Sequence, residues 1–165
     1  MDKLQIIRHG DLSIREVLDI IEIKSTAWPF DADSQFRWMI KNLQANDLHF
    51  LLREEDNDRI IAYLNLVGLE ATLGANENSV ACWGLGNVCA RDKKRGYGRM
   101  IMCHVNSYIL NSDRIGLLLC KEPLIEFYLK MGWKLLPSQI DLGKGIFVMC
   151  FGGECQALYS INRFF

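Results

Sequence analysis

Six consecutive residues, Lys93, Lys94, Arg95, Gly96, Tyr97 and Gly98, join positive charge to two glycines one residue apart, a combination suited to holding a polyanion. Glycine lets a backbone turn tightly and approach a ligand with no Cβ in the way. Upstream, Val88, Cys89 and Ala90 end a β-rich run that starts at Cys82. Downstream, Ile101, Val105, Tyr108 and Ile109 fall at i, i+4, i+7 and i+8, the spacing of a helix with one buried face. The turn therefore opens a predicted helix, where unpaired amides and the positive end of the helix dipole favour a phosphate. Each hydrogen bond to a charged group there contributes roughly 1.5–3 kcal/mol. Arg91 and Arg99 extend the positive charge on either side.

The loop is not one of the two common nucleotide loops. No Gly-x-x-x-x-Gly-Lys-Ser/Thr occurs, and Gly-x-Gly-x-x-Gly needs a third glycine where Met100 and Ile101 stand. The cysteines at 82, 89, 103, 120, 150 and 155 lie in apolar runs without C-x-x-C pairs or nearby histidines, which predicts buried free thiols and no metal site. Cys120, ending an apolar strand, is an alternative nucleophile, although none of His9, His49 and His104 has an assignable relation to it.

The elements that must position these groups come from a chain of 165 residues, half of them apolar, enough for one domain with an ample core. A net charge of −1 and a pI near 6.3 argue against bulk binding to nucleic acid or an anionic membrane. The basic cluster is too short for a nucleic-acid backbone and fits one small polyanion. No apolar run reaches the roughly 18 residues that span a bilayer. The first residues, among them Asp2, Lys3, Gln5 and Arg8, lack a signal-peptide core, so a cytoplasmic location is expected.

Leu4 to Ile7 reads as a strand. Ser13 and Glu16 form a capping box for a helix striped by Ile14, Val17, Leu18 and Ile21. Trp28, Pro29 and Phe30 break the pattern, and Asp33 is expected to cap a second helix striped by Phe36, Met39, Ile40 and Leu43. His49 to Arg53, Ile60 to Leu66 and Val80 to Val88 follow as an antiparallel meander. After the glycine-turn helix, Ile115 to Cys120 is a parallel strand reached by a right-handed crossover. Pro123 opens a last helix carrying Leu124, Phe127, Tyr128 and Met131, and Gly132 ends it. Trp133 to Leu136 and Ile146 to Phe151 close the sheet as an antiparallel pair. The tail from Glu154, ending in Phe164 and Phe165, is open to packing on the domain, lining a pocket or meeting a second subunit.

Two motifs carry a family resemblance. Lys93 to Gly98 resembles the Arg/Gln-x-x-Gly-x-Gly/Ala turn of the GNAT superfamily of N-acetyltransferases, and Tyr128 to Trp133 resembles its Tyr-x-Lys-x-Gly-Phe/Trp motif. The order of elements to about Phe151 is also that of the family. The resemblance implies an α+β fold, a mixed, mostly antiparallel sheet of six to seven strands flanked by about four helices, forming a single domain over residues 1–165. The tail from 153 has no assigned role in that expectation.

It further implies transfer of an acetyl or other acyl group from acetyl-CoA to a primary amine by direct attack. Amides from Lys94 through Arg99 would take the pyrophosphate, Lys93, Lys94 and Arg95 would neutralise it, and main-chain groups of Val88, Cys89 and Ala90 would hold the pantetheine arm like an added strand. Tyr128 takes the place of the general acid that protonates the departing thiolate. A non-catalytic acyl-CoA sensor or interaction module on the same fold is the alternative. The acceptor, a small molecule or a protein amino group, is expected to meet Trp28, Phe30 and Asp31, whose aromatic surface and negative charge suit a cation. The protein is expected to work as a monomer or homodimer without nucleic-acid or membrane partners.

Three departures from the family pattern stand out. Lys93 keeps charge but loses the forked hydrogen bonding of arginine. Lys121 stands near the place of an asparagine that touches the pantetheine in many members. No carboxylate occurs between Val80 and Val88, where many members carry a base, so the base is left unassigned.

Overall fold

The computed structural model describes residues 2–92 and 94–165. The chain divides into two compact units, one built from Met1–Val67 and Asn87–Met102, the other from Gly68–Gly86 and Cys103–Phe165.

In the first unit, β1 (Lys3–Arg8) pairs antiparallel with β2 (Leu48–Arg53), and β2 pairs antiparallel with the start of β3 (Ile60–Thr72). Every residue of β2 is buried, so the strand reads as a continuous run rather than an alternation, and it carries His49 and Arg53 inside. The Arg53 guanidinium is satisfied there by the Asp58 carbonyl at 2.7 Å and the Asp19 carboxylate at 3.1 Å. Helix α1 (Ile14–Ala27) has the expected capping box: Glu16 N–H donates to Ser13 Oγ at 3.3 Å, and Ser13 N–H donates to Glu16 Oε2 at 2.8 Å. Its buried face matches the expected stripe only in part, at Ile21 and the half-buried Val17. Ile14 is 82% exposed and Leu18 59%, whereas Ile20, Ile21, Ile23 and Lys24 are buried. Val17, Ile20, Ile21 and Lys24 also fall at i, i+3, i+4 and i+7, and the lysine at the end hides this second stripe from a count of apolar residues.

Helix α2 (Ala32–Asn42) is turned in the same way. Gln35, Met39 and Leu43 are buried, and Phe36 and Ile40 face outward. Its N-cap is Asp31, which accepts the Ser34 N–H at 2.9 Å; Asp33 lies in the first turn and pairs with Arg37 at 2.7 Å. The cap expected of Asp33 thus belongs two residues earlier, directly after the Trp28-Pro29-Phe30 break.

β4 (Val80–Ala90) and β5 (Ile115–Lys121) pair in parallel through residues 82–85 of the second unit, and α3 (Tyr97–Leu110) follows β4 and precedes β5 in the chain, as the crossover requires. Val105 and Ile109 on α3 are buried, as their spacing predicted. Helix α4 (Glu122–Lys130) has Pro123 in its first turn and Gly132 at φ +86° just past its end. Of its expected stripe, Tyr128 is buried and Leu124 is exposed. β7 (Ile146–Phe151) lies antiparallel between β5 and β6 (Lys134–Leu136).

The tail packs on its own unit. Ser160–Ile161 form β8, antiparallel to β3 at Thr72 and Ala71, and the Phe165 ring lies against Gly84, where any side chain would collide with it. Phe164 stays exposed. Among the described residues the fold is therefore mixed α+β, with four α-helices and an eight-stranded, mostly antiparallel sheet ordered β1-β2-β3-β4-β5-β7-β6, β8 lying on β3. The short tail strand raises the count above the expected six to seven.

All six cysteines are free. Cys82, Cys89, Cys120 and Cys150 are buried as expected, whereas Cys103 is exposed and Cys155 half-buried. Among the described residues no helix is long and apolar enough to cross a membrane.

Candidate functional site

The basic glycine turn lies in the first unit. Asp92 organises its start: the Asp92 carboxylate accepts the Lys94 N–H at 2.9 Å and its carbonyl accepts the Arg95 N–H at 3.3 Å. Lys94, Arg95 and Gly96 are exposed. The Gly96 carbonyl accepts the Met100 N–H at 3.0 Å, so the helical ladder of α3 begins there and the amides of Tyr97, Gly98 and Arg99 have no helical partner. Gly96 has φ +76°, and a Cβ placed on it would meet nothing within 4 Å. Backbone amides, a positive helix end and open space on a glycine are what a pyrophosphate needs, and Lys94 and Arg95 supply charge beside it. Arg95 also lies over the ring of the buried Tyr97, 5.3 Å from its centre.

Arg91 is not part of that charge. Its guanidinium donates to the Ile60 carbonyl at 2.6 Å and to Glu22 at 2.9 Å, which ties the end of β4 to β3 and α1. Just before it, Asn87 has φ +54°, an irregularity in the strand, and donates its side-chain N–H to Asn65 Oδ1 at 2.6 Å. Val88, Cys89 and Ala90 lie past the residues paired with β5. Burial pushes the Cys89 thiol up to about 12.

A cavity of about 520 Å³ opens in the same unit. Trp28, Phe30 and Trp38 give it aromatic walls, Gln35 and Asn87 give it amides, and Lys24 lines it as well. Lys24 is only 2% exposed, and its ammonium lies 4.1 Å from the centre of the Trp38 ring. Burial brings its pKa down to about 8. The same unit holds a chain of rings: His9 Nδ1 lies 3.0 Å from His49 Nε2, and His49 Nδ1 lies 2.9 Å from the Tyr63 hydroxyl. Burial, helped by the nearby charges of His9 and Lys24, pulls His49 down to about 3, so it is neutral at working pH.

In the second unit, Tyr128 is buried on α4, with its ring 5.1 Å from that of Phe127 and 6.5 Å from that of Trp133. Burial pushes its phenol above the ordinary value of 10, so the hydroxyl keeps its proton at any working pH. Cys120, the alternative nucleophile, is shifted in the unhelpful direction, because burial raises its thiol too.

Solved structures share this architecture. Escherichia coli ElaA superposes with a TM-score of 0.67 at 15% identity, over 92% of this chain and 99% of that one. An acyl-CoA N-acyltransferase from Pseudomonas aeruginosa gives 0.66 at 15% identity, again over 92% and 99%. The Bacillus subtilis N-acetyltransferase YlbP, solved in complex with coenzyme A, gives 0.60 at 14% identity, over 94% and 99%. The chain has the GNAT fold. No family model and no curated protein matches the sequence.

On this GNAT fold the expected residues have distinct settings. Lys94 through Arg99 follow one another around the open turn, and Lys93 lies outside the described residues. Trp28 and Phe30 line one cavity together, whereas Asp31 is engaged as the cap of α2 and is not among the residues that line it. Sequence reasoning missed Lys24, Trp38 and Asn87. A lysine completing the apolar spacing of Val17, Ile20 and Ile21 was the available signal for the first. The ring chain was missed because nothing in the spacing of His9, His49 and Tyr63 shows that β1, β2 and β3 bring them together.

Proposed function

We propose that the protein is an N-acyltransferase that moves an acetyl group from acetyl-CoA to a primary amine. The observation that carries the proposal is the turn at Gly96, an open positive-φ glycine at a helix N-terminus flanked by Lys94 and Arg95. Acetyl-CoA would present its pyrophosphate to that turn, and its thioester would supply the activated acyl group. The chain's own residues do the rest. Of the amides from Lys94 to Arg99, those of Lys94 and Arg95 already donate to Asp92, so those of Gly96, Tyr97, Gly98 and Arg99 would hold the pyrophosphate, and Lys94 and Arg95, with Lys93 beside them in sequence, would offset its charge. Main-chain groups of Val88, Cys89 and Ala90 align the pantetheine arm. Tyr128, protonated throughout, would supply a proton to the sulfur that leaves.

Trp28 and Phe30 line the cavity assigned here to the acceptor. In this proposal residues 1–165 act as one catalytic domain, cytoplasmic and working as a monomer or homodimer. A panel of amines assayed for free thiol release from acetyl-CoA tests the reading. Turnover with at least one amine is the expected result. Tight cofactor binding with no turnover across the panel would favour the non-catalytic sensor instead.

A further inference from the structure

Lys24 is a buried cation that the acyl-transfer chemistry above does not use. Among the described residues it makes no ion pair, and the groups that face it do not supply a negative charge. Cys89, on β4, is held as a neutral thiol, and His49, on β2, is held as a neutral imidazole. Lys24 itself stays mostly protonated at pH 7. Among the described residues no acid lines the cavity beside it: Asp31 caps α2 and Asp33 pairs with Arg37. The Trp38 ring offsets part of the cost of this buried charge through its π face, but a cation removed from water calls for an anion. The cavity it lines has aromatic walls and a volume in the range that holds small molecules.

We propose that this cavity takes an acceptor with a flat apolar body and a carboxylate, the body lying among Trp28, Phe30 and Trp38 and the carboxylate on Lys24. The identification of this ligand as the acceptor rests on the acyltransferase reading; its chemistry rests on the cavity alone. It narrows the expectation of an amine acceptor drawn from Trp28, Phe30 and Asp31, because an acceptor carrying positive charge alone would meet a like charge at Lys24. An aromatic amino acid has the right chemistry, with an amine to be acylated, a carboxylate for Lys24 and a ring for the tryptophans.

Calorimetric titration of the full chain at pH 7 and low salt, without any coenzyme, tests the proposal with three probes: 3-phenylpropionate, L-phenylalanine and phenethylamine. The two carboxylates should bind at least ten-fold more tightly than phenethylamine. In Lys24→Met that preference should vanish through loss of carboxylate affinity. The wild-type comparison stands even if the variant fails to fold. Equal or tighter binding of phenethylamine, a preference that survives in Lys24→Met, or no binding of any probe at millimolar concentration would each overturn the proposal. Because coenzyme is absent, failure of the acyltransferase reading would show in the amine panel and not in this titration.

Discussion

Trp133 donates its indole N–H to Asn106 Oδ1 at 2.9 Å, while the same Asn106 side chain donates to the Met131 carbonyl at 2.8 Å. One asparagine on α3 thus fixes the chain at both sides of Gly132, where α4 ends, and Tyr128 lies one turn back from that anchor. Trp133 is 1% exposed, so its N–H has no water to turn to if Asn106 is lost. Asn106→Leu should cost about 1–3 kcal/mol, the price of an orphaned buried donor. In a chain of this length that is a fall in Tm of roughly 3–10 °C. In a Trp133→Phe background the same substitution should cost clearly less, and equal losses by thermal denaturation in both backgrounds would show that the hydrogen bond contributes nothing.

Gly96→Val should leave the domain folded and remove coenzyme binding. No neighbour would be displaced in the free protein, since nothing lies within 4 Å of the added Cβ, but the φ of +76° costs a branched residue about 1–2 kcal/mol. The larger effect is on the ligand, because the side chain fills the space assigned to the pyrophosphate. Titration with coenzyme A should show at least a ten-fold loss of affinity; an unchanged affinity would place the phosphates elsewhere.

Tyr128→Phe keeps the ring between Phe127 and Trp133 and removes the hydroxyl alone. If that hydroxyl protonates the leaving thiolate, kcat should fall by roughly 10²–10⁴-fold with coenzyme affinity and Tm close to wild type. Free thiols have a pKa of about 8.5, so the defect should shrink in alkaline buffer, where the thiolate leaves unaided. Equal rates for the two proteins from pH 7 to 9 would return Tyr128 to a packing role.

His49 gives the stability a defined acid limb. Its folded-state pKa is depressed to about 3, below the value of 6.5 that it has when unfolded, so the unfolded chain takes up the proton first. Its contribution is therefore complete above pH 6.5 and declines as pH falls toward 3. Between pH 6.5 and 5 the loss should be about 2 kcal/mol, at 1.36 kcal/mol per unit. Denaturant titrations across that range measure it. A flat profile would mean that His49 is protonated in the folded state.

The element order, the parallel crossover and the glycine turn were legible in the sequence because each depends on local spacing or on one residue type. The capping box of Ser13 and Glu16 is decided within four residues, and the structure reproduces it. The helix faces were less legible. On α1 two stripes have helical spacing, and the one that packs ends in Lys24, so the choice depends on a tertiary partner, the Trp38 ring on α2. The cap of α2 fell on Asp31 because it follows the Trp28-Pro29-Phe30 break at once, a geometric fact about a turn that residue preference does not resolve. The tail could not be read because its strand is two residues long and exists only against β3. The cavity around Lys24 was illegible for the same reason, being lined from α1, α2, the break between them and β4.

Titrating the purified chain with acetyl-CoA in low-salt buffer while following Tm tests whether the Gly96 turn is a coenzyme cradle. A ligand that binds only the folded state stabilises it by mass action, about 2.7 kcal/mol at one hundred times its Kd. A saturable rise in Tm of several degrees is expected, reproduced by desulfo-CoA and weakened by salt. No shift at millimolar acetyl-CoA would contradict it.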